Sequence, residues 1–399
     1  MQGCVEAMKT FMQLLAQHAM HRPDAPAMRH KALGIWQVWT WRGLDEHCTR
    51  LACGLHQVGL KSGQRMAVLG GNAPNFYAAL IASQALGVVP VPIHPDASDP
   101  EVEEALAACD AKVAIAQDQE QVDKLFAARW ACPQLAQVFY DNGRGLRGYP
   151  ATEAEPLHAV VERGAHFAVR HPGFMEIQRS RTRPADDAVS FPVPAGPGSF
   201  RLSSLAHQSL IDRAQASARG IGLGARDEVM ACAPLSRPGQ FLCGFAQWLV
   251  CGFTLSCPES AESIQADMRE VGPTYLFGPP GMYQAMYSEV ARRLETAGAI
   301  QRRALALARR AGQLAFDRRR PTPSQRVAQG LANAGVFAPL RNGLGLARVR
   351  AAHVADGDIG RDARAFFLGL GVPITDMATQ GLTSHDAESA HSDALEVTA

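Results

Sequence analysis

Short apolar runs separated by helical patterns dominate the first third of the chain. Arg65–Leu69, Val88–Ile93 and Lys112–Ala116 read as strands buried on both faces. Between them, Asn75–Gly87 and Glu101–Cys109 space their apolar residues as helices do. Short strands alternating with helices predict a parallel sheet covered by helices. An amphipathic helix is expected over residues 5–20, ended by the turn at Pro23-Asp24. Partial period-two alternation from Ile35 to Trp41 predicts a strand. Residues 141–185, with Asn-Gly, Gly-Tyr-Pro and several arginines, show no clear period and read as an irregular surface connection. A second α/β block follows to about residue 380, with the strand–helix pair Thr274–Phe277 and Met282–Ala297 and a helical stretch Gln301–Phe316. Residues 385–399, rich in Ser, Ala, His and acids, read as a disordered tail. The expected core includes Val68, Leu69, Ala79, Leu80, Val88, Val89, Phe277, Phe366 and Phe367.

Charge changes this picture locally. The formal net charge is +1, but residues 291–350 hold 13 Arg, no Lys and only Glu295 and Asp317 as acids. Such a segment could face anionic lipid, giving weak membrane association, or an acidic protein partner; a solvated helix face explains it as well. Aromatic residues are not interleaved with it, so nucleic acid is not expected as a partner. Nine cysteines without a C-x-x-C pair point to reduced thiols and a cytoplasmic setting. The first ten residues lack a signal-peptide layout, and no apolar run reaches about 18 residues, so the expected location is cytoplasmic or at most membrane-peripheral.

Residues 186–207 carry the most chemistry. Pro192-Val193-Pro194-Ala195-Gly196-Pro197-Gly198-Ser199-Phe200-Arg201 suggests a strand, a glycine turn, one cation and then a helix start. Turn amides and a helix N-terminus both favour a phosphate. Few hydroxyls flank the glycines, however, and Pro197 removes a backbone donor. Lone histidines such as His94 and His207 read as structural. Gly220, Gly222 and Gly224 form a helix-ending cluster with no preceding strand, so they are not a dinucleotide fingerprint.

The chain resembles the adenylate-forming superfamily, and within it the long-chain acyl-CoA synthetases, or fatty-acid–CoA ligases. Leu33-Gly34-Ile35-Trp36-Gln37, residues 117–124 and 144–147, Gln265–Pro273, and Leu340-Arg341 through Arg348–Arg350 carry the resemblance. It runs from about residue 8 to 384. It implies the large N-terminal α/β domain of such a ligase, truncated, with two helix-covered sheets and no small C-terminal domain. The implied division is 1–180, a first α/β subdomain with its connection; 181–384, a second with degenerate AMP-binding motifs; and the tail 385–399.

The family reaction joins a carboxylate to AMP from ATP and then passes the acyl group to CoA, and magnesium accompanies the nucleotide. Against the family phrase Tyr-Thr-Ser-Gly-Thr-Thr-Gly-x-Pro-Lys-Gly, Gly198 is identical, Gly196 lies one place past the first glycine, and Arg201 replaces the lysine. The Gly-Gly of the adenine segment becomes His353 to Asp358, expected as a surface loop with capping aspartates. The Tyr-Gly-x-Thr-Glu segment loses its acid in either alignment, over residues 378–382 or 380–384, which removes a magnesium ligand. In the Pro-Pro/Pro-Arg-aromatic segment, Gly281 stands for the arginine while the turn Gly278-Pro279-Pro280 is kept. The family's ribose-binding aspartate and C-terminal lysine have no counterpart. Gly196, Gly198 and Arg201 are therefore expected as a vestigial nucleotide site, with no catalytic or metal residue and no cofactor. The expected role is a pseudoenzyme holding a fatty-acyl ligand or a protein partner. The alternative is an ATP-, magnesium- and CoA-dependent fatty-acid–CoA ligase that uses substitute residues or a complementing chain.

Overall fold

In the computed structural model, which describes residues 9–150, 152–196, 199–295, 337–355 and 357–376, Thr10 opens the first helix. Its hydroxyl accepts from the Gln13 amide, and the Gln13 side chain accepts from the Thr10 amide at 2.9 Å. This reciprocal cap starts α1 (Phe11–His21). A hairpin of β1 (Pro26–Ala32) and β2 (Ile35–Thr40) follows, then α2 (Trp41–Gln57), capped by Thr40.

The apolar runs become strands as expected: β3 (Arg65–Leu69), β4 (Val89–Ile93) and β5 (Val113–Ala116), joined by β6 (Gln137–Tyr140) and β7 (Ala154–Pro156). All five are parallel, in the order β4-β3-β5-β6-β7, with Leu69 opposite Ile93 and Met66 opposite Val113. The crossovers are α3 (Pro74–Ala85), α4 (Asp99–Cys109) and α5 (Gln119–Ala128). One face of this sheet packs Ala67, Leu69, Val91 and Ile93 on Val102, Leu106, Val122 and Leu125. α3 is apolar nearly all round and correspondingly interior.

Residues 141–185 are not an irregular connection. They contain β7, α6 (Leu157–Arg170) and α7 (Phe174–Arg181). Leu157, Val160 and Gly164, at i, i+3 and i+7, form the buried stripe of α6. This stripe lies against α2 with no room for a side chain at the crossing. A Cβ on Gly54 would meet Val160 Cγ1 at 2.7 Å and the Val160 carbonyl still closer, and one on Gly164 would overlap the Arg50 carbonyl.

The chain continues through β8 (Asp187–Gly196), β9 (Ser199–Ala206) and α8 (His207–Ile221). After β10 (Glu228–Met230) comes α9 (Pro238–Phe241), a five-residue π turn at Leu242–Ala246, and α10 (Gln247–Cys251). Aromatic rings gather on this segment. Trp41 stacks on Trp248 with centroids 5.4 Å apart, and Phe11 meets Phe245 edge-on at 5.1 Å.

The last elements are β11 (Thr254–Cys257), α11 (Ile264–Val271), β12 (Tyr275–Gly278), α12 (Pro280–Glu295), α13 (Ala338–Gly343), β13 (Ala351–Val354), α14 (Arg361–Gly369) and β14 (Ile374–Asp376). The second sheet has the order β14-β13-β12-β10-β11-β1-β2, and the pairs from β14 through β11 are parallel. The expected core residues are all buried. The stretch Gln301–Phe316, most of the arginine-rich segment and the tail 385–399 lie outside the described residues. At the end of that arginine-rich segment Arg350 is committed internally. Its guanidinium donates to Asp227 and to the carbonyls of Ile221 (2.6 Å) and Gly222 (2.8 Å), closing the end of α8.

Two compact units emerge, and both are discontinuous in sequence. One contains Met1–His30, Gln37–Gly220 and Pro234–Gly252; the other contains Lys31–Trp36, Ile221–Ala233 and Phe253–Ala399. No helix among the described residues is long and apolar enough to cross a membrane.

Candidate functional site

The segment expected as strand, glycine turn and helix start folds differently. β8 and β9 form a long antiparallel hairpin in which Val193 faces Arg201, Pro194 faces Phe200 and Gly196 faces Ser199. Arg201 is thus an exposed strand residue, and α8 begins only at His207. The first amides of α8 are taken: those of His207 and Gln208 donate to the carbonyls of Asp186 (3.1 Å) and Pro184 (2.8 Å). The helix terminus is therefore spent on the chain itself. Gly196 lies at the exposed end of β8, and Gly198 is outside the described residues. β8 contains two prolines, Pro192 and Pro194. An arm of two strands tolerates them because each strand is an edge. Its base is anchored by buried Ala188, Val189 and Phe191 and by a 2.7 Å hydrogen bond between the Ser190 and Ser204 hydroxyls.

Pro192 and Phe200 of this hairpin wall a cleft of about 370 Å³ at the carboxyl end of β4. Pro92 and Ile93 of β4 and Ala97 and Ala105 on the α4 side extend the apolar wall. His94, Asp96, Glu101, Ser236 and Arg237 supply the polar groups. Ligands of parallel α/β sheets collect at the carboxyl ends of strands, and this volume suits a small organic molecule.

The polar groups differ in what they can offer. His94 Nδ1 accepts from the Asp96 amide at 3.1 Å, which leaves the Nε2 proton to face outward. Burial lowers its pKa, against the raising effect of Asp96, so the ring is a neutral donor near neutral pH. Glu101 is occupied: its carboxylate accepts from the Ser98 amide (2.8 Å) and hydroxyl (2.7 Å), and these bonds hold it below the usual carboxylate range. Ser236 Oγ is buried without a hydrogen-bond partner among the described residues, and Arg237 is exposed beside it. An apolar wall with a hydroxyl, an imidazole N–H and a guanidinium near it can hold an amphipathic anion.

Neither Ser236 nor Arg237 is singled out by the sequence. The available signal is Pro238, which starts a helix and so fixes the two residues before it at an entrance. His94 reads as structural from sequence yet lines the cleft. His207 is a structural residue: it is buried, its Nδ1 accepts from the Phe11 amide at 3.4 Å, and burial pushes its pKa down to about 4.

The segment 353–358 also departs from expectation. His353 is a fully buried residue of β13, hydrogen-bonded through Nδ1 to the Tyr275 hydroxyl at 2.9 Å, and burial lowers its pKa to about 4. Its carbonyl accepts from the Tyr283 hydroxyl at 2.9 Å. Apolar neighbours on both sides of a central strand drew it inside. Asp358 pairs with Arg364 at 2.9 Å, which holds its carboxyl below the ordinary range; Arg364 also reaches Asp376 at 2.5 Å. Residues 378–384, where the acid of the magnesium segment would stand, are outside the described residues. No group of three or more metal-ligating side chains occurs among the described residues.

Residues 15–186 match the family of AMP-binding enzymes. A feruloyl-CoA synthase of Amycolatopsis sp is 35% identical over 99 residues, covering 25% of this chain and 19% of that protein. The long-chain-fatty-acid–CoA ligase ACSBG2 of Xenopus laevis is 20% identical over 379 residues, covering 92% of this chain. The chain spans 50% of that ligase's length. Among solved structures, the anthranilate–CoA ligase AuaEII in complex with anthranoyl-AMP superposes with a TM-score of 0.66 at 15% identity, over 92% of this chain and 58% of that one. The fold is accordingly that of the N-terminal domain of adenylate-forming enzymes. Residues 15–186 thus carry the match to AMP-binding enzymes, and over most of its length the chain is similar to long-chain-fatty-acid–CoA ligases.

Proposed function

We propose that this chain is a non-catalytic member of the adenylate-forming superfamily, a binding or regulatory pseudoenzyme that holds an acyl-type carboxylic acid in the cleft beneath the β8–β9 hairpin. One observation carries the reading. The segment in the place of the phosphate loop is zipped into an antiparallel ladder up to Gly196 and Ser199. A triphosphate needs several convergent amides and hydroxyls. Prolines at 192, 194 and 197 remove three amides from this stretch, and the hydroxyls expected beside its glycines are reduced to Ser199. The donor set therefore does not fit ATP. The cleft, by contrast, offers an apolar wall and donors suited to a carboxylate.

Isothermal titration with ATP and magnesium tests this. No magnesium-dependent binding and no acyl-CoA production are expected, whereas binding of a free carboxylic acid is. Micromolar affinity for ATP, or thioester formation, would overturn the reading in favour of a working ligase.

A further inference from the structure

The chain contains two Asn-Gly dipeptides, Asn142-Gly143 after β6 and Asn342-Gly343 in α13. Glycine has no side chain to shield its amide nitrogen, so a preceding carboxamide can reach it in a single ring closure. Both asparagines are exposed, and exposure does not separate them. Backbone geometry does. Asn342 is held in helical conformation, which turns the next amide away from its side chain, and its carbonyl accepts from the Gly345 amide at 3.0 Å. Asn142 lies outside any helix or strand. Its Oδ1 accepts from the Arg144 amide at 3.0 Å, so the carboxamide is folded over the Gly143 peptide unit. The Gly143 N–H makes no hydrogen bond among the described residues. Asn142 is also fixed from behind, because its own amide donates to the Gln117 carbonyl at 2.7 Å.

From this contrast we infer that Asn142-Gly143 is a self-modification site, which converts without an enzyme to isoaspartate and aspartate. The Gly143 nitrogen loses its proton to solvent and attacks Asn142 Cγ, forming the new N–C bond. The charge that develops on Oδ1 is met by the Arg144 N–H already donating to it, the kind of backbone donor that stabilises tetrahedral oxyanions. The bond from Cγ to the carboxamide nitrogen then breaks, and that nitrogen leaves as ammonia with a proton from water. One water opens the resulting succinimide at either carbonyl, giving isoaspartate or aspartate. The product carries a carboxylate next to Asp141. Burial already raises the Asp141 carboxyl above the ordinary range, against a hydrogen bond from Asn75 at 2.5 Å. None of this depends on what the cleft holds.

Peptide-mapping mass spectrometry of the full chain, kept at mildly alkaline pH both folded and in urea, tests the assignment. In the folded protein Asn142 should convert at least about tenfold faster than Asn342, because only its side chain is placed over the attacking nitrogen. In urea both become plain Asn-Gly dipeptides, and the two rates should come within about threefold of each other. Gly143→Ala should slow the conversion at Asn142 about tenfold or more, since its Cβ shields the nitrogen. An unchanged Asn342 rate in that variant reports that the fold is intact. No conversion at Asn142, equal conversion of the two asparagines in the folded chain, a difference that persists in urea, or an undiminished rate in Gly143→Ala would each overturn the assignment.

Discussion

The crossing of α2 and α6 sets two physical effects against each other at Gly164. Glycine in a helix interior is less favourable than alanine by about 1 kcal/mol, so propensity alone predicts that Gly164→Ala stabilises the protein. Packing predicts the reverse. The added Cβ would overlap the Arg50 carbonyl and stand 2.5 Å from the Gly54 amide nitrogen. Both obstacles are helix backbone, which cannot swing aside as a flexible side chain would. The helices must separate, and overpacking of this kind costs about 1–3 kcal/mol, with backbone obstacles at the upper end. A net loss of about 2 kcal/mol is expected, or about 4–8 °C in melting temperature for a unit of this size. Gly220→Ala is the internal control. It sits near the end of α8 with nothing within 4 Å of its would-be Cβ, so propensity should prevail and stabilise by about 0.5 kcal/mol. Thermal melts and urea titrations of the two variants read the contrast directly. A Gly164→Ala protein as stable as the parent would refute the close-packed crossing.

The pH dependence of stability should carry the mark of two buried histidines. His207 and His353 are each pushed down to about 4, chiefly by burial, against about 6.5 when unfolded. The unfolded chain takes up these protons first, so their stabilisation is complete above about pH 6.5 and is lost as pH falls toward 4, by about 2 kcal/mol each at pH 5. Urea midpoints at pH 7 and 5 measure it, and His207→Leu should flatten its share of the slope. Arg350→Met should cost about 2 kcal/mol, because the nearly buried Asp227 loses its counter-charge and two carbonyls at the end of α8 lose their donor. Arg350→Lys should recover only part of this, since an ammonium cannot reproduce the fork; an unchanged melting temperature in Arg350→Met would contradict that account.

What the sequence revealed and what it hid follow from the same physics. Strands such as Met66–Leu69 and Val113–Ala116 are apolar on both faces, and burial in a parallel sheet leaves that mark directly in the residues. The helix α6 escaped because Gly164, read alone, weakens a helical pattern; its reason, the backbone of α2, lies about a hundred residues earlier in the chain. The hairpin escaped because its prolines fit a turn and also an isolated two-stranded arm, and only the pairing of Val193 with Arg201 distinguishes them. The cleft was least visible of all. His94, Ser236 and Arg237 come from segments about 140 residues apart, and each is unremarkable until the fold brings it to the same opening.

Between α9 and α10, the π turn Leu242–Ala246 takes up one residue more than an α-turn would. Gln240 and Gln247, seven apart, would share one stripe of an unbroken α-helix, and the extra residue turns them apart by about 100°. Removing one residue from the turn would restore regular α-helical hydrogen bonding and leave the flanking turns in their present orientation. Gln247 would keep its reach to the Ser217 hydroxyl and Trp248 its stack on Trp41, and the disturbance would fall on residues inside the turn, Phe245 with its contact to Phe11 among them. The segment should therefore tolerate a deletion within the turn better than one in the α-helix on either side.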